Sequence, residues 1–152
     1  MKKYIIILLL FIFLLCGCSK EDKQKDIYLE SISELKEINK SSKDYPFNLE
    51  LVLDKITKKE VRYQIILDNV TEDIDDISII AIHDKKTEDI YPSIGIFDEK
   101  ENLKKDKKPS GLILVGYIEY RGDTEDFHGT FKVLVKYKIN NKEHKVYYVT
   151  KK

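Results

Sequence analysis

The chain has 152 residues, with 27 basic and 27 acidic side chains, three histidines and two cysteines, so its formal charge is zero. That balance excludes the broad basic field on which nucleic-acid binding depends. Two cysteines, at positions 16 and 18, exclude a disulfide framework spread along the chain, and the length suits one domain held by an ordinary apolar core.

The N-terminus reads Met1-Lys2-Lys3, then an apolar run from Tyr4 to Leu15, then Cys16-Gly17-Cys18-Ser19-Lys20. Charged, apolar and small residues in that order predict a secretory signal, and the run is shorter than the roughly 20 apolar residues a membrane span requires. Leu15-Cys16-Gly17-Cys18 resembles the lipobox of bacterial lipoproteins, with an aliphatic residue three before the cysteine and a small one directly before it. The resemblance covers these four residues and the signal before them. It implies cleavage between Gly17 and Cys18 and a diacylglyceryl group on the Cys18 thiol; Cys16, preceded by bulky Leu15, does not fit. Each buried methylene contributes about 0.8 kcal/mol, so the acyl chains together would hold the mature chain on the outer face of the cytoplasmic membrane. Arg62 and Arg121 are the only arginines and isoleucine is abundant, a bias expected of AT-rich coding and a Gram-positive source. Loss of Lys2 and Lys3 leaves 25 basic against 27 acidic residues.

Residues 18–44 read as a tether. Cys18 to Lys25 is polar, and beyond it Tyr28, Ile32, Leu35 and Ile38 recur at helical spacing, predicting a short helix that ends near Asn39. Such a helix is marginal alone. Unfolded, the segment would be a stalk with a mean reach of roughly 30 Å.

From Phe47 the period changes to two. Phe47, Leu49, Leu51 and Leu53 alternate with mostly polar residues, and Val61, Tyr63, Ile65 and Leu67 repeat the pattern, with Thr57-Lys58-Lys59 closing a hairpin between them. Ile77 to His83 is apolar on both faces and predicts a central strand. Ile90 to Phe97 is interrupted by Pro92 and Gly95 and belongs at an edge, because proline cannot donate to a ladder. Asp98 to Ser110 reads as the longest connection. Leu112 to Tyr120, apolar on both faces, is expected to be the buried centre. Phe131 to Ile139 alternates cleanly, and Asn140-Asn141, which tolerate positive φ, turn the chain into Glu143 to Thr150. These seven strands predict an all-β, immunoglobulin-like antiparallel sandwich over residues 45–152, although the cysteine pair and tryptophan of antibody domains are absent. A small open barrel is the second choice.

The sequence carries few residue patterns that point to chemistry. His83, His128 and His144 fall on different strands with no metal-ligand spacing, and are expected to be exposed or at edges. The acidic turns carrying Asp73, Asp75 and Asp76 and, further on, Asp123 and Asp126 would hold calcium only if folding joined them, since that ion takes six to eight oxygens. Arg121-Gly122-Asp123 reads as a turn. There is no nucleophile elbow, spare thiol or phosphate cradle, so no catalytic residue and no cofactor is expected. Lys104, Lys105, Lys107 and Lys108 form the one dense basic run, suited to an anionic surface or to solvent. Tyr147 and Tyr148 face opposite ways, placing one in the core and one outside. The sequence therefore leads to a lipid-anchored binding or accessory module whose partner is a protein or an envelope component. A carboxylate-based envelope enzyme and an immunity or inhibitor lipoprotein are the alternatives.

Overall fold

A computed structural model of the chain describes residues 20–86, 90–108 and 111–152. The signal segment, Gly17 and Cys18 lie outside the described residues. Among the described residues one helix, α1 (Lys20–Glu37), precedes eight strands: β1 (Asn48–Thr57), β2 (Glu60–Asp68), β3 (Ile74–His83), β4 (Ser93–Ile94), β5 (Glu101–Leu103), β6 (Gly111–Glu119), β7 (Thr130–Ile139) and β8 (Lys142–Lys151). A 3-10 turn, Thr124–Asp126, sits between β6 and β7.

The strands form two antiparallel sheets, ordered β1-β2-β6 and β4-β3-β7-β8, with β5 pairing on β3. β1, β2 and β6 occupy the places of strands A, B and E of the immunoglobulin sandwich, and β3, β7 and β8 those of C, F and G. The local causes are visible in the residues. β2 alternates Val61, Tyr63, Ile65 and Leu67 inward with Arg62, Gln64 and Ile66 outward, so one register satisfies the whole strand. The β7–β8 hairpin closes through Asn140 and Asn141 at φ 50° and 62°, which the right-handed strand twist favours. Gly95 turns at φ +71°, and a Cβ there would lie 2.4 Å from the Ile77 carbonyl oxygen, so only glycine fits.

Leu49, Leu51, Tyr63, Ile65 and Leu67 from one sheet pack on Ile77, Ile79, Ala81, Phe131, Val133 and Val135 from the other. A second core lies outside the sandwich. Tyr28 and Leu35 of α1 bury with Ile80, Ile82 and Leu134 on the outer face of the β3–β7 sheet, and Ile32 and Tyr147 close over them. Ser31, between Tyr28 and Leu35 on the same helical face, is small enough to bring the helix close to the sheet. Three sheet lysines complete the attachment. Lys132 Nζ donates to the Lys36 carbonyl at 2.8 Å, Lys136 Nζ to Ser31 Oγ at 3.2 Å and Lys145 Nζ to Glu34 Oε1 at 2.8 Å. The first of these places a cation on the unpaired carbonyls at the helix C-terminus.

Several expectations are corrected here. Lys20 to Lys25, read as tether, is helical, because Tyr28, Ile32 and Leu35 have a sheet face to cover and the helix continues N-terminally from them. The strand expected over 90–97 shrinks to Ser93–Ile94, which pairs at the β3 edge directly after Pro92. The polar connection 98–110 contains β5, held by pairing of Leu103 with Ile74. β6 is not the buried centre. It pairs with β2 alone among the described residues, and Ile113, Val115 and Tyr117 point outward. β3 and β7 hold the central place instead. Both Tyr147 and Tyr148 are partly covered, Tyr147 by α1 and Tyr148 by the main core.

Leu35 is fully buried and Leu29, on the other side of the same helix, is half exposed. Leu35→Ala is expected to cost about 2–5 kcal/mol in chemical denaturation, and Leu29→Ala about 0.5 kcal/mol or less. Equal effects would contradict the helix orientation.

Candidate functional site

Where α1 passes over one end of the five-stranded sheet, it leaves a groove of about 770 Å³. The first two turns of α1 form one wall, through Lys20, Lys23, Gln24 and Ile27. The segment from Gly95 to Lys100 forms the other, with Ile96 and the exposed Phe97. The floor is the outer face of the sheet: Asp76 and Ser78 from β3, Lys136 and Lys138 from β7, and Glu143 and Lys145 from β8. The volume falls in the range of ligand sites, while the lining is mostly charged, with Ile27, Ile96 and Phe97 as its apolar side chains.

The second wall is fixed by two contacts. Asp98 Oδ1 accepts the Gly95 amide at 2.6 Å, and the Phe97 ring leans on Tyr28 at 5.2 Å between centroids. Tyr28 itself donates its hydroxyl to the Tyr91 carbonyl at 3.0 Å, so the helix and the segment opposite it are tied together beside the groove.

Six lysines and four carboxylates line the groove, and they are not equivalent. Lys138 pairs with Asp76 at 2.7 Å, which raises the ammonium pKa and lowers the carboxyl pKa. Lys145 is held by Glu34, a carboxylate whose pKa burial would raise but which hydrogen bonds from Lys145 and Tyr147 bring below the ordinary value. The Lys136 ammonium has no carboxylate within ion-pair distance among the described residues, and its one hydrogen bond there is to Ser31 Oγ. Burial first, and the neighbouring Lys145 second, push its pKa down, against the pull of Glu34. The groove therefore holds one half-buried ammonium that is incompletely compensated. Asp76 and Asp98 are already committed to Lys138 and to the Gly95 amide.

The residues singled out in the sequence are dispersed. Asp73, Asp75 and Asp76 lie at the start of β3, where Lys104 binds Asp75 at 2.9 Å and Asp73 at 3.6 Å. Asp123 precedes the 3-10 turn after β6 and Asp126 ends it, and Asp123 pairs with Lys55. The antiparallel register puts these two acidic turns at opposite ends of the sandwich, so they do not converge. Among the described residues no cluster of three or more histidine, cysteine or acidic side chains has metal-site geometry. Lys105, Lys107 and Lys108 are exposed, in the connection leading to β6. Cys18 and Gly17 lie outside the described residues. Among those residues no helix is long and apolar enough to cross a membrane.

His83 departs from the expected exposed position. It is buried among Tyr63, Tyr91 and Phe131, with ring centroids 5.3–5.9 Å away, and its Nδ1 has no partner among the described residues. The Tyr91 hydroxyl donates to the His83 carbonyl at 3.2 Å. His144 stacks on Tyr137 at 5.3 Å beside the groove, and His128 is exposed.

The groove itself escaped the sequence reading. Its lining comes from α1, β3, β7, β8 and the 95–100 segment, which nothing in linear spacing joins. The available signals were Leu134, a lone apolar residue between Lys132 and Lys136 on the polar side of β7, and Ile80 and Ile82 on the second apolar face of β3, which together mark a face that something covers. Comparison with known protein families, with curated proteins and with solved structures finds no match.

Burial lowers the His83 pKa below 6.5, so below about pH 6.5 the unfolded chain takes up a proton that the folded chain resists. Stability is expected to fall as pH drops through that range. His83→Phe should flatten the dependence between about pH 7 and 5.5 in denaturation curves, since the remaining carboxylates titrate mostly lower. Parallel curves for the two proteins would contradict a neutral buried histidine.

Proposed function

We propose that this chain is a membrane-anchored extracytoplasmic lipoprotein whose sandwich acts as a binding module for a protein or envelope component. The α1 groove is its binding site. The observation that carries this reading is the groove itself: a cavity of ligand-site size in which Lys136 stands half-buried without a carboxylate partner among the described residues. Burying a charge is costly unless it is compensated, so an incoming acidic group gains more there than on an open surface.

The signal segment and the Leu15-Cys16-Gly17-Cys18 lipobox support the anchoring. The groove's helical wall starts at Lys20, two residues beyond Cys18, so an acyl anchor on Cys18 would hold this end of the domain close to the bilayer. Apolar Ile27, Ile96 and Phe97 beside the lysines suit an amphipathic partner segment better than a bare inorganic ion.

Cys18→Ala is expected to release the protein from the membrane fraction. In affinity purification of the lipidated protein after crosslinking, Lys136→Glu and Lys100→Glu should each reduce recovery of a specific partner about tenfold, while Lys58→Glu, at the opposite end in the β1–β2 turn, leaves it unchanged. Recovery of the same partner at equal yield from all three variants would remove the groove from the account.

A further inference from the structure

Three ammonium groups meet in the α1 groove from three separate elements. Lys136 of β7 sits in the floor, and Lys100, at the end of the 95–100 wall, and Lys145 of β8 are both near enough to repel its charge. Glu34 and Glu30 of α1 pull the other way, but Glu34 is already held by Lys145 and Tyr147. Lys20 and Lys23 add two cations from the helical wall. Of the lining carboxylates, Asp76 and Asp98 are committed to Lys138 and to the Gly95 amide, and Glu99 and Glu143 are exposed. The groove therefore keeps an excess of positive charge. Apolar surface adjoins it directly, through Ile27, Ile96 and Phe97, the last 53% exposed.

The depth of the groove in the envelope follows from the reading of the chain as an anchored lipoprotein, on which this inference rests. Lys20 follows Cys18 by two residues, so its backbone lies within about 7 Å of the anchored residue. The polar headgroup layer on each side of the hydrocarbon is roughly 5–7 Å deep. The first turn of α1, which walls the groove, then stands at headgroup level.

We infer that the groove takes the headgroup of an anionic phospholipid of the membrane that holds the anchor, with the phosphodiester on Lys136 and Lys100 and the first methylenes of the acyl chains against Ile27, Ile96 and Phe97. A tetrahedral phosphodiester offers oxygens in several directions, as ammoniums arriving from different elements require, whereas a carboxylate offers two in one plane. Acid and hydrocarbon adjoin in such a lipid as lysine and apolar side chains adjoin in the groove. Lysines clustered at an anionic leaflet are attracted to it in the same way. Among envelope components, the occupant is then the lipid nearest to the site.

The chain has no tryptophan, so Phe97→Trp places a single fluorescent reporter at the groove. The full lipidated protein carrying it is reconstituted in vesicles of equimolar phosphatidylcholine and phosphatidylglycerol, with bromine on the upper acyl chains of one lipid or the other. Brominated phosphatidylglycerol is expected to quench about threefold more strongly than brominated phosphatidylcholine. Lys100 is exposed and takes no part in docking the helix, so adding Lys100→Glu should abolish that preference without changing the thermal midpoint. Lys136→Glu should abolish it too, and Lys58→Glu, the same charge change at the opposite end, should leave it intact. The inference is overturned if both lipids quench equally, if the preference survives Lys100→Glu, or if millimolar inorganic phosphate cancels it, which would mark a site for the free ion. Equal quenching together with partner recovery that still falls in Lys136→Glu and Lys100→Glu would overturn the lipid and keep the groove as a protein site. Equal quenching with unchanged recovery would overturn both readings.

Discussion

The outer face of the five-stranded sheet presents Ile80, Ile82 and Leu134, and α1 is what removes them from water. A sandwich of this size needs only its inner faces to be apolar, so an apolar patch on an outer face demands a cover. Tyr28, Ile32 and Leu35 supply it, and the lysines that alternate with Leu134 on β7 hold the cover in place through Ser31 and the helix C-terminus. From this one packing follow the position of the helix, the second core, the closure of the β8 edge by Ser41 and Ser42 just beyond the helix, and the groove.

The groove is thus a by-product of how far α1 overhangs the sheet. Its first two turns extend past the buried Tyr28 toward the sheet end, and the 95–100 segment rises to meet them because Gly95 permits the bend and Asp98 holds it. Lys136 is central both to the docking of α1 and to the binding site proposed for this surface. It reaches Ser31 to dock the helix, and in doing so remains half-buried in the groove floor beside Lys145. The same contact that stabilises the fold leaves a charge with unfinished solvation, which is the property a binding site for an acidic partner requires.

Much of the fold was legible in the sequence, because hydrophobic period two is a local property. The alternation in β1, β2 and β7, the Asn140-Asn141 turn and the edge assignment forced by Pro92 all carry into the structure. Errors arose wherever an apolar residue had two explanations. β3 and β6 are both apolar on both faces, yet β3 is covered by α1 outside and the core inside, whereas β6 leaves Ile113, Val115 and Tyr117 in solvent. Periodicity reports that a residue is apolar and not what covers it. His83 was misplaced for a related reason: its burial depends on Tyr63, Tyr91 and Phe131, which come from three separate segments. The helix signal was present in the spacing of Tyr28, Ile32 and Leu35, but its length was underestimated because the polar residues before Tyr28 gave no reason for order.

The claim on which the account rests is that α1 is an integral layer of the domain and not a stalk. Amide hydrogen exchange measures this most directly. The account predicts that the amides of residues 28–35 open with the same free energy as the central residues of β3 and β7, as members of one cooperative unit. Exchange of those amides at close to the rate of an unfolded peptide, while β3 and β7 remain protected, would contradict it.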